Sequence, residues 1–139
     1  MRFTARVRNS EGEHHVDVSI GEKSTSLSIA PRPSGFGSSV SGGELLLLAL
    51  ATCTCNDVYR EAGKMNIEVT AVEVECSADF PAEGAPASAV TYSAKIAARA
   101  TEAEIRALGE VVDGVAEIQN SLRAAIPVAL VKVEAQTIQ

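Results

Sequence analysis

The chain contains no tryptophan, and aromatic residues make up only 4% of its 139 residues. So few rings disfavour a platform on which nucleic-acid bases could stack. Cationic side chains are also in the minority, since 12 Lys and Arg stand against 18 Asp and Glu, for a net charge of −6. Because a nucleic-acid backbone or an anionic membrane attracts a cationic protein face, we expect neither as a partner.

Sequence motifs of several enzyme classes are absent as well. The segment 31–43, rich in Pro, Gly and Ser, has neither of the glycine patterns that bind phosphate groups, and no nucleophile elbow of a serine hydrolase occurs. His14 and His15 are adjacent on a predicted strand, where neighbouring side chains point to opposite faces, so they do not form a two-histidine site. No metal-ligand spacing occurs elsewhere, and we predict no metal and no cofactor.

Cysteine is scarce, and an odd count of three is not typical of a secreted disulfide framework. The N-terminal residues lack the apolar core of a signal peptide. The apolar run of 45–55 is shorter than the about 20 residues that cross a bilayer. We therefore predict a cytoplasmic protein whose thiols stay reduced.

Alternating apolar residues predict two groups of strands. Three short runs near the N-terminus indicate an antiparallel meander with one buried face, and two longer runs indicate a hairpin. One more run after Pro127 predicts a final strand. The runs are 3–7, 16–20, 27–29, 69–78, 90–98 and 128–135.

Two capping-box patterns predict helices, the first at Ser41–Glu44 and the second at Thr101–Glu104. The first helix is apolar or small on every side over 45–55, which predicts burial all round. Glycines weaken the second helix, so a break is expected near Gly114. The order βββ-α-ββ-α-β, in one domain over 1–139, predicts an α+β fold with mostly antiparallel sheets packed on a long buried central helix.

The three thiols differ in their predicted surroundings. Cys53 and Cys55 lie two residues apart on the first helix and point about 200° away from each other, which excludes a disulfide or a shared metal site in an intact helix. The face of Cys53 gains Asp57 and Arg60 within the next two turns. Cys76 alternates with valines on a strand, which favours a place in the core. Cys53 is therefore the best functional candidate, with core filling as the alternative for each thiol.

The segment from Ser41 to Phe80 resembles the central part of the OsmC/Ohr family, the osmotically inducible and organic-hydroperoxide-resistance proteins. In that family a Glu opens a long apolar helix and a Cys follows nine residues later, as Glu44 and Cys53 do here. The later stretch IQNSLRAAIPVALVKVE is similar to the end of the family's second helix and its last strand. The predicted element order also fits the family's fold over essentially the whole chain.

This resemblance implies a thiol peroxidase that reduces organic hydroperoxides in oxidative or osmotic stress. Cys53 would be the peroxidatic thiol, whose thiolate attacks the O–O bond and becomes a sulfenic acid, and Glu44 would help to hold it reactive. The arginine of the family's site is not assignable from a motif, and Arg6, Arg8 and Arg32 are the candidates. The implied partners are a second copy in an intertwined homodimer, the hydroperoxide, and an external thiol or dithiol reductant.

The sequence departs from the family at the second cysteine. Alignment of 120–123 with the family pattern places Ala116 where the resolving cysteine usually stands. Three hypotheses follow: a peroxidase resolved by an external thiol, a peroxidase in which Cys55 or Cys76 substitutes, and a non-catalytic module that binds a small hydrophobic ligand. A purely structural dimeric stress protein is a further alternative.

Overall fold

The computed structural model describes residues 1–134, 136 and 138. The chain divides into two compact units, Met1–Leu47 and Leu48–Gln139, with the boundary inside the first helix. Each unit contains one antiparallel sheet, and the fold is α+β with three helices in the described residues. No helix in that part of the chain is long and apolar enough to cross a membrane. The single domain over 1–139 stays a prediction.

The first unit contains the predicted three-stranded antiparallel meander, with its strands paired in sequence order. Gly12 in the first turn has a φ of 74°, a left-handed conformation that glycine adopts without steric cost. Val16 is the only buried residue of these strands, and Phe3 and Val7 are exposed. The prediction of one buried face is therefore wrong for the single chain, because no part of this unit packs against the apolar side chains of the meander. The strands are β1 (Phe3–Ser10), β2 (Glu13–Ile20) and β3 (Lys23–Leu27).

In the second unit the predicted hairpin is formed by β4 (Glu68–Asp79) and β5 (Ser88–Arg99). Val72 and Ile96 lie opposite each other in the register, and both pack against the core of this unit. That core joins the first helix to the second, so it fixes the helices relative to the hairpin. Its fully buried members are Val58, Ala62, Leu108 and Val112.

The first helix, α1 (Gly42–Lys64), begins at the predicted capping box. The Glu44 carboxylate accepts the Ser41 N–H at 2.7 Å, and the Ser41 hydroxyl accepts the Glu44 N–H at 3.2 Å. Leu48 is 59% exposed, so the prediction of a helix buried all round is wrong for the single chain. Burial is one-sided because only one face packs within the second unit. The buried residues are Leu50, Thr54, Asp57, Val58, Glu61 and Ala62.

The second helical segment is broken, as the glycine pattern predicts. α2 (Glu102–Val115) starts at the predicted capping box of Thr101, and α3 (Glu117–Arg123) follows after one residue. That residue, Ala116, is fully buried and has extended backbone angles, which end one helix and start the next. The break allows the first residue of α3 to project away from the direction of α2.

The predicted last strand is not formed in its described part. Residues 124–134 belong to no helix or strand, and Ala135 lies outside the described residues. The apolar side chains of this segment face solvent, with Val128 95% exposed. A strand needs a neighbouring strand to bond its backbone groups, and 128–134 has no such neighbour in the described chain.

Candidate functional site

The thiol of Cys53 lies between two carboxylates that come from different helices. Asp57, one turn further along α1, places its Oδ2 atom 3.6 Å from the sulfur. Glu117, the first residue of α3, places its Oε2 atom 3.7 Å from the same sulfur. Cys53 is half-buried and the Glu117 side chain is 65% exposed, so the site opens to solvent on the Glu117 side.

One arginine holds both carboxylates in place. The Nη1 atom of Arg60 lies 3.0 Å from Oδ1 of Asp57 and 3.5 Å from Oε1 of Glu117. Each carboxylate thus gives one oxygen to the guanidinium and turns the other toward the thiol. The sequence places Arg60 on the face of Cys53, and in the structure its guanidinium contacts these two acids.

Burial raises the pKa of the Cys53 thiol above its ordinary value and is the largest cause of the shift. The hydrogen bond from the Ile118 backbone lowers that pKa, while the negative charges of Asp57 and Glu117 raise it. Burial also raises the pKa of Asp57, and the nearby Glu117 charge adds to this. Asp57 is therefore a stronger base than an ordinary aspartate, and it lies within reach of the thiol proton.

Replacing Glu117 by Gln should make Cys53 more reactive. The change removes a negative charge beside the sulfur, so the thiol pKa falls and the thiolate fraction at pH 8 rises. We expect several-fold faster alkylation by iodoacetamide in a Cys55→Ser/Cys76→Ser background, measured by mass spectrometry. Glu110→Gln, an exposed change on α2, is the matched control. Equal rates in the two variants would contradict the electrostatic account.

The other two thiols are free as well. Cys55 is half-buried, and nothing in the described contacts pairs it with Cys53. Cys76 is half-buried on β4, on the same face as Val72 and Val74, and burial raises its pKa. Cys76 is not among the buried core residues of this unit, so its predicted place in the core is not confirmed.

Glu44 and the N-terminal arginines lie in the first unit. The Glu44 carboxylate accepts hydrogen bonds from the Ser41 backbone and hydroxyl, which lower its pKa. Arg8 lies 3.8 Å from Asp17, and Arg32 donates to a backbone carbonyl of its own loop. The Glu44 contacts stabilise the start of α1, and the Arg32 contact stabilises its loop. The catalytic role of Glu44 stays a prediction.

Glu117 is the site residue that the sequence reasoning missed. It is 64 residues from Cys53, so no local spacing links the two. A signal nevertheless existed, since Glu117 directly follows Ala116, the position aligned with the family's resolving cysteine. A residue next to the position of the resolving cysteine is close enough to reach the peroxidatic thiol, so this adjacency is a signal for Glu117.

A small cavity adjoins the buried side of α3. Gln119 is 4% exposed, and its Nε2 atom donates to the Leu50 carbonyl at 3.1 Å and to the Thr54 hydroxyl at 2.8 Å. Its Oε1 atom has no hydrogen-bond partner among the described residues. Gln119 lines a mostly apolar cavity of about 250 Å³, but its Oε1 atom is itself buried from solvent. The other lining residues are Leu50, Val90, Tyr92, Leu122 and Arg123.

The chain matches the family of OsmC-like proteins over residues 35–131, whereas no curated protein matches it significantly. An OsmC-like protein from Mycoplasma pneumoniae has a similar fold, with a TM-score of 0.59, 17% identity, and coverage of 86% of this chain and 87% of that one. An OsmC-like hydroperoxide resistance protein from Jannaschia sp. CCS1 gives a TM-score of 0.53, 17% identity, and coverage of 98% and 88%.

An organic hydroperoxide resistance protein OsmC from Legionella pneumophila gives a TM-score of 0.52 and 19% identity, with coverage of 88% of this chain and 90% of that one. At such identities the three structures establish the fold, and the family follows from the sequence match over most of the chain. The chain belongs to the OsmC-like protein family.

Proposed function

We propose that this protein reduces organic hydroperoxides and that the Cys53 thiol is the reacting group. The observation that carries the proposal is the position of a proton acceptor, the Asp57 carboxylate, 3.6 Å from the Cys53 sulfur. The similar structures of two hydroperoxide resistance proteins support the same chemistry by analogy of fold.

The reaction begins when the Cys53 thiol gives its proton to Asp57, whose raised pKa makes it a stronger base than an ordinary aspartate. The thiolate attacks the outer oxygen of the hydroperoxide, so an S–O bond forms while the O–O bond breaks. The sulfur loses two electrons and becomes a sulfenic acid. The leaving alkoxide takes the proton from Asp57 and departs as an alcohol.

A thiol from outside the chain resolves the sulfenic acid. Ala116 supplies no sulfur at the family's second position, and Cys55 lies two residues from Cys53 on an intact helix. An external thiol or dithiol attacks the sulfenic sulfur, releases water and forms a mixed disulfide, and a second thiol then returns Cys53 to its reduced form. The cytoplasm, where such reductants are kept reduced, is the proposed setting.

The test is the reduction of cumene hydroperoxide by the reduced protein in the presence of a metal chelator. We expect the wild-type rate to exceed that of free cysteine, with one added oxygen found on Cys53 by mass spectrometry. Cys53→Ser should lower the rate to that of a thiol-free control, whereas Cys55→Ser and Cys76→Ser should retain it. A wild-type rate equal to that of free cysteine, or full activity in Cys53→Ser, would exclude the proposal.

The cavity beside Gln119 favours a second candidate function, the binding of a small hydrophobic ligand, because apolar side chains form most of its lining. Displacement of an apolar dye by long-chain alcohols tests this function. We expect such displacement, and its absence would exclude this function.

We also propose that the chain forms a homodimer. The unpaired segment 128–134 and the open face of the meander expose apolar side chains that a second copy can cover. Sedimentation equilibrium should give twice the chain mass of 14.5 kDa. Val131→Asp should shift the protein toward the monomer, because formation of the dimer would bury the introduced charge. The neighbouring Lys132→Gln should cause no such shift. A monomeric wild-type protein would refute this assembly.

A further inference from the structure

We propose that Cys53, Asp57 and Glu117 form a binding site for a divalent cation of the zinc type. The ligands are the sulfur of Cys53 and one carboxylate oxygen from each acid. The three residues come from α1 and α3, so the bound cation would join the two helices. The inference does not depend on the peroxidase reaction, because it concerns the affinity of these three groups for a cation.

The distances from the sulfur to the two oxygens match those of a tetrahedral zinc site. With Zn–S near 2.3 Å and Zn–O near 2.1 Å, a tetrahedral angle separates sulfur from each oxygen by about 3.6 Å. The observed separations from the Cys53 sulfur are 3.6 Å to Asp57 and 3.7 Å to Glu117. All three donor atoms lie within 4.8 Å of one another, and the exposed Glu117 side chain can adjust its distance to Asp57.

Hydrogen bonds from the thiol do not join all three groups. A thiol carries one hydrogen, so it can bond only one of the two carboxylate oxygens that face it. The Asp57 side chain is 6% exposed and the Glu117 side chain is 65% exposed, so the thiol hydrogen satisfies the buried Asp57 oxygen and water can reach the Glu117 oxygen. A cation would take the place of the hydrogen and that water and contact all three donor atoms at once.

Arg60 holds the two carboxylates in the orientation that a cation requires. It binds the outer oxygen of each carboxylate and leaves the inner oxygens directed at the sulfur, as neighbours of metal ligands commonly do. Three negative ligands beside one guanidinium leave two negative charges, which a divalent cation neutralises.

The donor set also selects the class of cation. Mg²⁺ and Ca²⁺ prefer oxygen ligands alone, whereas Zn²⁺ and Co²⁺ accept thiolate together with carboxylate. Three protein ligands leave a fourth position open to water on the exposed side of Glu117. Because the thiol loses its proton on binding, the same cation would block attack of Cys53 on a hydroperoxide.

The test is titration of the reduced, metal-free protein with Co²⁺, whose bond to a thiolate gives a near-ultraviolet charge-transfer absorption. We expect this absorption to saturate at one Co²⁺ per chain and Zn²⁺ to abolish it by displacement. Cys53→Ser should remove it, and Glu117→Gln, an exposed change that spares the core, should weaken Co²⁺ binding at least about tenfold. Cys55→Ser and Cys76→Ser are the matched controls and should bind as the wild type does.

The absence of the absorption in the folded wild-type protein at equimolar, micromolar Co²⁺ would overturn the site, as would its persistence in Cys53→Ser. Unchanged affinity in Glu117→Gln, with the fold verified by circular dichroism, would equally overturn the three-ligand arrangement. The peroxidase assay is run in chelator, so failure of the cation site leaves that assay unaffected. Failure of the peroxidase assay likewise leaves the Co²⁺ titration unaffected.

Discussion

Replacing Leu108 by Ala is expected to lower the free energy of unfolding by about 2–5 kcal/mol, the range found for large-to-small changes in protein cores. Leu108 is fully buried on α2 and packs with Val58 and Ala62 of α1. The substitution removes three side-chain carbons and leaves a cavity that the surrounding helices and hairpin fill only in part. Urea unfolding at one fixed protein concentration measures the loss, because assembly makes apparent stability depend on concentration.

Val111→Ala provides the matched control for this prediction. Val111 lies on the same helix but is exposed, so its truncation removes little buried surface and should cost far less stability than Leu108→Ala. The same core also positions the candidate site, because the buried Val58 directly follows Asp57 in α1. Equal losses in the two variants would show that the helices pack through another face of α2.

The sequence predicted the features that depend on local chemistry. The capping boxes at Ser41 and Thr101 form because hydroxyl and carboxylate groups three residues apart satisfy the free N–H groups of a helix start. The meander and the hairpin follow from period-two alternation and from turn residues, which act over a few positions. The helix break is equally local, because it lies at Ala116, two residues after a glycine.

Burial was harder to predict, because it depends on what covers a face. The apolar side chains of Phe3, Leu48 and Val128 indicate surfaces that another protein surface must bury. In the single chain these side chains are exposed. The final strand fails for a related reason: its sequence favours extended structure, but a strand forms only beside a partner. Both differences are of the kind that the proposed second copy would explain.

The sequence predicts which thiol belongs to the candidate site, but it does not predict how neighbouring charges shift the pKa of that thiol. The place of Cys53 on α1 and the family resemblance indicate this thiol, whereas the sequence shows Asp57 only as a polar residue on the same helix face and indicates Glu44 as the catalytic partner. The direction of the thiol pKa depends on Glu117, which reaches the sulfur across 64 residues of sequence. Two carboxylates beside a thiol disfavour the thiolate, so an active peroxidase here needs Asp57 as a base. A bound cation would instead favour the thiolate, because its charge outweighs the charges of both carboxylates.

Replacing Gln119 by Glu is expected to destabilise the protein by about 3–5 kcal/mol at pH 8, the range found when a buried charge lacks its partner. The two side chains have nearly the same shape, but the substitution replaces a donor with an oxygen that faces the Leu50 carbonyl and the Thr54 hydroxyl. Arg123 also lines the cavity, but its guanidinium lies 2.7 Å from Asp113 and is already paired.

The pH dependence distinguishes buried charge from altered shape. Burial should raise the pKa of the introduced carboxyl in the folded state, so the folded protein holds a proton that the unfolded chain releases. Stability is then retained below the ordinary glutamate pKa and lost as the pH rises through the raised one, which unfolding curves at pH 4, 6 and 8 would record. Gln119→Leu, which introduces no charge, should cost only about 1 kcal/mol and show no such dependence. An equal loss at all three pH values would mean that the cavity admits water and the new carboxyl keeps its ordinary pKa. A loss that shrinks as the pH rises would mean that Arg123 leaves Asp113 to pair with the new carboxylate.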